Sequence, residues 1–139
     1  MSDGADSVRL LLVAAAALID GEGRVLLAQR PQGKQLAGLW EFPGGKIEAG
    51  ERPEAALARE LAEELGIEAD PADFEPGPFA SHAYPDFHLM MPLWLLRRWQ
   101  GTPVSREGQA LAWVAPADLE TYPMPPADVP LCAWLKAGV

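Results

Sequence analysis

Apolar residues along this chain gather into short runs separated by turn formers, with one longer stretch of different period. Residues 10–19 are almost wholly apolar and carry alanine at 14–17, and a second apolar run occupies 25–30. Between them stands Asp20-Gly21-Glu22-Gly23, a turn-rich tetrapeptide. The pair predicts a β-hairpin whose first strand is buried on both faces. An alanine run suits a helix equally well, and the valine and leucine flanks tip the reading to strand. Residues 31–39, with Pro31, Gly33 and Gly38, predict a loop leading into a short strand at 40–42. Further strands are expected at 79–83, 89–99 and 110–114, with a connection at 71–78, a polar turn at 101–108 and a helical turn at 116–119. Pro123, Pro125, Pro126 and Pro130 stiffen the segment before a terminal helix at 131–137.

The stretch of different period predicts a helix over 53–65. Pro53 suits the first turn, where its missing amide hydrogen costs nothing, and Gly66 suits the left-handed position just past the end. At about 100° per residue, Leu57, Ala58, Leu61 and Leu65 share one arc while Glu60, Glu63 and Glu64 share the other. Like charges three and four apart cost an isolated helix about 0.2–0.5 kcal/mol per pair. Such a face is either plainly solvated or neutralised by a cation. Clustered carboxylate oxygens suit Mg²⁺, which takes a few carboxylates together with waters and substrate phosphates.

Composition narrows the class. The chain has 139 residues, enough for one domain with a substantial core and too few for a second catalytic domain. We expect a loose tail at 1–7 and a single domain over 8–139. A formal charge of −9 disfavours nucleic-acid polymers and anionic membranes as partners; it is compatible with a small phosphate-bearing substrate bridged by divalent metal, and equally with a plain solvated acidic surface. Arg9 and the apolar run after it faintly resemble a signal peptide. Asp3 and Asp6 precede the run, no cleavage pattern follows before Asp20, and the run is too short to cross a bilayer. A cytoplasmic protein is expected. Cys132, the one cysteine, is expected to be a small buried apolar residue.

The region 45–67 resembles the signature of the Nudix hydrolases: Gly45, Glu51, Arg59, Glu60, Leu61, Glu63, Glu64, Gly66 and Ile67 occupy its specified positions at the required spacing. The resemblance implies an α/β fold, a Nudix-type α/β/α sandwich with a mixed β-sheet. It also implies hydrolysis of a nucleoside diphosphate linked to another group, with Mg²⁺ (or Mn²⁺) as cofactor. By the same resemblance Glu60, Glu63 and Glu64 are metal ligands, joined by Gly44 through its carbonyl, and Arg59 orients a glutamate. The general base is left open between Glu60 and Glu107, the latter in the loop Ser105-Arg106-Glu107-Gly108-Gln109, where similar enzymes place a catalytic or metal-binding glutamate.

The likeness extends to the MutT type, which removes oxidised nucleotides such as 8-oxo-dGTP. Trp40-Glu41-Phe42-Pro43-Gly44-Gly45-Lys46, Tyr84-Pro85-Asp86, Glu107-Gly108-Gln109 and Pro125-Pro126-Ala127-Asp128 follow in that group's order. It implies an enzyme that converts a modified nucleoside triphosphate to the monophosphate and pyrophosphate, in nucleotide-pool sanitation. Arg30 and Phe42 would line the nucleotide pocket, and Lys34 and Lys46 could touch phosphate. Asp128 departs from the type, which has asparagine there. An ionised carboxylate only accepts hydrogen bonds, so it matches an exocyclic amine better than guanine O6. That keeps a CTP or methylated dCTP pyrophosphohydrolase as the alternative. A non-catalytic nucleotide-binding module is the alternative of another class, and it would ordinarily lack some of these carboxylates. The expected oligomeric state is monomer or homodimer.

Overall fold

The computed structural model describes residues 8–33 and 36–138, so the expected tail at 1–7 and Lys34 lie outside the described residues. The elements run β1 (Leu10–Leu18), β2 (Val25–Gln29), β3 (Trp40–Glu41), β4 (Gly44–Lys46), α1 (Pro53–Leu65), β5 (Glu75–Ala83), β6 (His88–Leu96), β7 (Ala110–Val114) and α2 (Val129–Lys136). Single 3-10 turns at Pro71–Asp73, Pro116–Thr121 and Pro126–Asp128 join them.

One sheet has the order β4-β1-β6-β5 and the other β3-β2-β7. The first is mixed, since β1 runs parallel to β6 and antiparallel to β4. Alternation along β1 divides the core. Ala15 and Ala17 pack with Leu27, Leu93, Leu131 and Leu135 on the α2 side, and Ala14, Ala16 and Leu18 pack with Leu57, Leu61 and Leu65 on the α1 side. One helix therefore covers each face, and the α/β/α sandwich with a mixed sheet is borne out. The alanine run is strand, and its small side chains leave room for apolar layers on both sides. Trp94 lies in the α1-side core, Cys132 is buried as expected, and Trp134 is partly exposed. Among the described residues no helix is long and apolar enough to cross a membrane.

Three features depart from the predicted elements or add to them. The predicted hairpin does not form: β1 and β2 share only the isolated antiparallel bridge Ile19–Val25 and then part into different sheets. β6 pairs along the length of β1 and β4 takes the other edge at Val13–Ala15, while β2 pairs with β3 and β7. The tight turn itself is as read, for the Asp20 carboxylate accepts from the amides of Glu22 and Arg24. Second, Gly44–Lys46 is a strand that its glycines argue against. A Cβ on Gly44 would collide with the Ala14 carbonyl oxygen, so glycine is what lets this segment lie against β1. Third, the strands at the far edge are shifted: β5 starts at Glu75 and β6 stops at Leu96. As an edge strand β5 accommodates Pro76 and Pro78, with the register irregularity falling between Pro76 and Phe79.

Helix α1 begins and ends where Pro53 and Gly66 place it. Gly66 has φ 71° and its amide donates to the Ala62 carbonyl, closing the last turn in the left-handed conformation that glycine adopts without strain. Ala56, Leu57, Leu61 and Leu65 are buried, which fixes the rotation of the helix and turns Glu60 and Glu64 toward β4 and the loop before it.

Candidate active site

Between α1, the loop before β4 and the loop before β7 lies an open cleft of about 490 Å³ lined by Ala28, Arg30, Pro31, Glu41, Pro43, Gly44, Glu60, Glu64, Glu107 and Gln109. Four of the ten lining residues are glutamates, drawn from three separate parts of the chain. Glu60 and Glu64 come from successive turns of one helix face. The Gly44 amide donates to Glu64 Oε1 at 3.3 Å, and a Cβ on Gly45 would run into the Glu60 carboxylate. The double glycine thus admits both carboxylates close to the backbone.

Arg59 organises the outer edge of this cluster. Its Nε and Nη2 donate to the two carboxylate oxygens of Glu51 at 2.8 and 2.9 Å, and its Nη1 donates to Glu60 Oε1 at 2.9 Å. Glu63 lies 3.5 Å from the same Nη1, with its side chain 54% exposed. The side chains of Glu60 and Glu64 therefore enter the cleft, while Glu63 stands on the outer side of Arg59 and is not among the lining residues.

Electrostatics set these acids apart from surface carboxylates. Burial pushes Glu64 up to about 8, reinforced by Glu60, Glu107 and Glu41 and opposed by the Gly44 amide. Glu60 is also raised, by burial first, with Glu63 and Glu107 adding to it and Arg59 opposing. Glu51 moves the other way, to about 2, because Arg59 and the Glu48 amide bind its ionised form. The cleft thus concentrates acids whose charge is held at a cost, which a cation would relieve.

Glu107 reaches the cleft from the loop before β7, and its charge is felt by both Glu60 and Glu64. Arg30, just past β2, donates from Nη1 to both oxygens of Glu41, at 3.1 and 3.2 Å. Burial raises Glu41, and Arg30 opposes the rise. Asp128 is 5% exposed, accepts from the Phe42 amide, and is pushed up to about 7 by burial and by Glu41. A carboxyl raised this far is readily protonated near neutral pH, and the protonated form donates as well as accepts. Phe42 is buried in the α2-side core, and neither it nor Asp128 is among the lining residues. Both lie directly behind Glu41. The Lys46 side chain is exposed and its carbonyl accepts from Arg59 Nη2 at 3.3 Å.

Two polar lining residues, Glu41 and Gln109, have no role predicted from sequence. Strand alternation from the buried Phe42 aims Glu41 at the opposite face, beside Ala28. For Gln109, no sequence pattern marks a loop glutamine as a structural link.

The donor set is oxygen throughout, which suits a hard divalent cation. Among the described residues no group of three or more His, Cys, Asp and Glu side chains already converges as a closed metal cage. An open set of one or two carboxylates beside a cleft is the arrangement in which Mg²⁺ keeps waters and takes further ligands from phosphate. The residues present fit such an ion.

Comparison with known proteins agrees with this geometry. The model of the NUDIX domain matches residues 14–134. The chain is 43% identical over 123 residues to the CTP pyrophosphohydrolase of Escherichia coli K12, covering 87% of this chain and 88% of that one. It is 36% identical over 129 residues to the 8-oxo-dGTP diphosphatase of the same organism, covering 93% and 98%. A solved structure of MutT, described for Aliivibrio salmonicida and Vibrio cholerae, superposes with a TM-score of 0.80 at 32% identity, covering 94% of this chain and all of that one.

Proposed function

The chain belongs to the NUDIX family, and from that membership we propose that it hydrolyses nucleoside triphosphates between the α and β phosphorus atoms, releasing a monophosphate and pyrophosphate. The observation that carries this reading is the pair Glu60 and Glu64, turned into a cleft on a helix whose outer edge is tied down by Arg59. A non-catalytic module would ordinarily lack some of these carboxylates, and here all of them are present.

Mg²⁺, or Mn²⁺ in its place, would be held by Glu60, Glu64 and the Gly44 carbonyl, with Glu63 and Glu107 available from the rim. When bound, the ion supplies Lewis acidity toward the phosphate oxygens and the attacking water. Arg59 holds one oxygen of Glu60, which fixes the orientation of that carboxylate. Glu60 is thereby committed to a ligand's position, and Glu107, arriving from the opposite wall, is the group we assign as general base: its carboxylate accepts the proton of the water that attacks phosphorus. Arg30 stands at the inner wall with its guanidinium on Glu41, where it can meet the substrate's negative charge.

Two related proteins bear on the base. We read the substrate as an oxidised purine triphosphate of the 8-oxo-dGTP type, as the E. coli diphosphatase is named, which makes the role one of nucleotide-pool sanitation. A cytidine triphosphate is the second reading, favoured by likeness to the E. coli CTP pyrophosphohydrolase. Ranking kcat/KM for 8-oxo-dGTP, dGTP, CTP, dCTP and 5-methyl-dCTP, with Mg²⁺ and detection of pyrophosphate, separates the two. Release of pyrophosphate from none of them would overturn the proposed function.

A further inference from the structure

The Glu107 loop is fastened to α1 at the residue that carries one of the cleft's acids. The last carbonyls of a helix lack intrahelical donors, and here the loop supplies them. Val104 donates to the Leu65 carbonyl at 3.0 Å and Arg106 to the Glu64 carbonyl at 3.1 Å. The Arg106 guanidinium lies over Gly66, where a Cβ would come within 2.8 Å of its Nε. Gln109 then closes the loop from the far side. Its Nε2 donates to the Glu64 carbonyl at 3.2 Å, while its Oε1 accepts from the Glu107 amide at 2.9 Å and from Ser105 Oγ at 2.8 Å.

This network admits one orientation of the amide. A flipped Gln109 would set its NH₂ against the Glu107 N–H, donor facing donor, and its oxygen against the Glu64 carbonyl, acceptor facing acceptor. Gly108, at φ 80°, supplies the left-handed turn that brings Gln109 back beneath Glu107. One planar group therefore ties the backbone of Glu107 to the backbone of Glu64, whose own carboxylate enters the cleft. The side chains nearest in length do not replace it: ionised glutamate cannot donate, and methionine has no donor and only a weak acceptor.

We propose that Gln109 is a positioning residue, whose side-chain amide joins the Glu107 amide to the Glu64 carbonyl and so holds the Glu107 carboxylate over the reacting phosphate. The inference rests on the assignment of Glu107 as base in the proposed function. Gln109 itself touches no reacting atom in this scheme; it acts through Glu107.

The test is a double-mutant cycle with Gln109→Ala and Glu107→Gln, following kcat and KM for pyrophosphate release. It is accompanied by hydrogen exchange of the loop in the metal-free, nucleotide-free protein. Gln109→Ala is expected to lower kcat by about 10- to 100-fold with KM nearly unchanged, as displacement of a catalytic group by about 1 Å does. In the Glu107→Gln background the same change is expected to cost nothing further, because the two act as one unit. The Glu107 amide should exchange at least about tenfold faster in Gln109→Ala, its acceptor being gone. Full multiplication of the two losses, or unchanged kcat and exchange in Gln109→Ala, overturns the role of Gln109 alone. Wild-type turnover in Glu107→Gln instead overturns the base assignment, and this inference with it.

Discussion

Gly44 and Glu64 meet across 3.3 Å, backbone amide to carboxylate, and that contact joins the glycine strand to the helix at the point where the cleft's acids gather. The bond stabilises the ionised form of Glu64, yet burial and the neighbouring glutamates outweigh it and raise the group to about 8. The carboxylate is kept at this place against its own electrostatics, as groups gathered at functional clefts often are.

Replacing Glu64 by Gln tests that. An acid raised in the folded state binds more protons folded than unfolded between its ordinary value and about 8, so it costs stability increasingly as pH rises through that window. Metal-free Glu64→Gln should therefore gain melting temperature relative to the wild type at pH 8.5 and show little difference at pH 4.5. Its kcat should fall by about 100-fold or more if the carboxylate holds the ion. Added Mg²⁺ should raise the melting temperature of the wild type more than that of the variant.

Glu51 behaves oppositely. Arg59 lowers it to about 2, so its contribution is complete above the unfolded value and disappears as pH falls toward 2. In an acid titration followed by circular dichroism, Glu51→Gln should be less stable than the wild type at pH 6, with the gap closing below pH 4. The same variant loosens Arg59, and with it Glu60, so kcat should fall at neutral pH while the helix content stays unchanged.

The two glycines separate function from folding. A Cβ on Gly45 meets the Glu60 carboxylate, a movable group, whereas a Cβ on Gly44 meets the backbone carbonyl of Ala14. Gly45→Ala should lower kcat/KM by about 10- to 100-fold with a modest loss of stability. Gly44→Ala should lose about 2–4 kcal/mol in denaturant unfolding, because one of two strands must move.

Asp128→Asn should raise stability by about 1–2 kcal/mol at pH 8 and leave it nearly unchanged at pH 4, since the acid's folded value of about 7 makes its ionisation costly in that window. If the side chain reads the base, the same change shifts the ratio of kcat/KM toward 8-oxo-dGTP over CTP. An unchanged ratio removes Asp128 from base recognition and leaves it a buried partner of the Phe42 amide.

Helix α1 was legible to the residue because Pro53 and Gly66 act through local backbone preference, and its faces followed from period alone. The identity of the sheet partners was not. Nothing local records that β1 pairs with β4 and β6 while β2 pairs with β3 and β7, and the glycines of β4 speak against a strand until Ala14 is seen pressed against Gly44. In the cleft, the acids of α1 were visible as a face, but which of them turn inward depends on how its buried residues seat the helix, which leaves Glu63 exposed beside Arg59. Glu41 needed only the alternation of a short strand. The link from Gln109 to Glu64, 45 positions apart, is a long-range contact with no sequence periodicity behind it.

We propose that this cleft directs water to the anhydride between the first two phosphorus atoms of a nucleoside triphosphate, with Glu64 helping to hold the divalent ion. Phosphorus NMR of 8-oxo-dGTP and CTP incubated with wild type and Glu64→Gln, each with Mg²⁺ and with chelator, tests it most directly. The account predicts monophosphate and pyrophosphate signals growing together for the wild type with Mg²⁺, and neither with chelator or in the variant. Orthophosphate with nucleoside diphosphate as the products, or equal rates in both proteins, would contradict it.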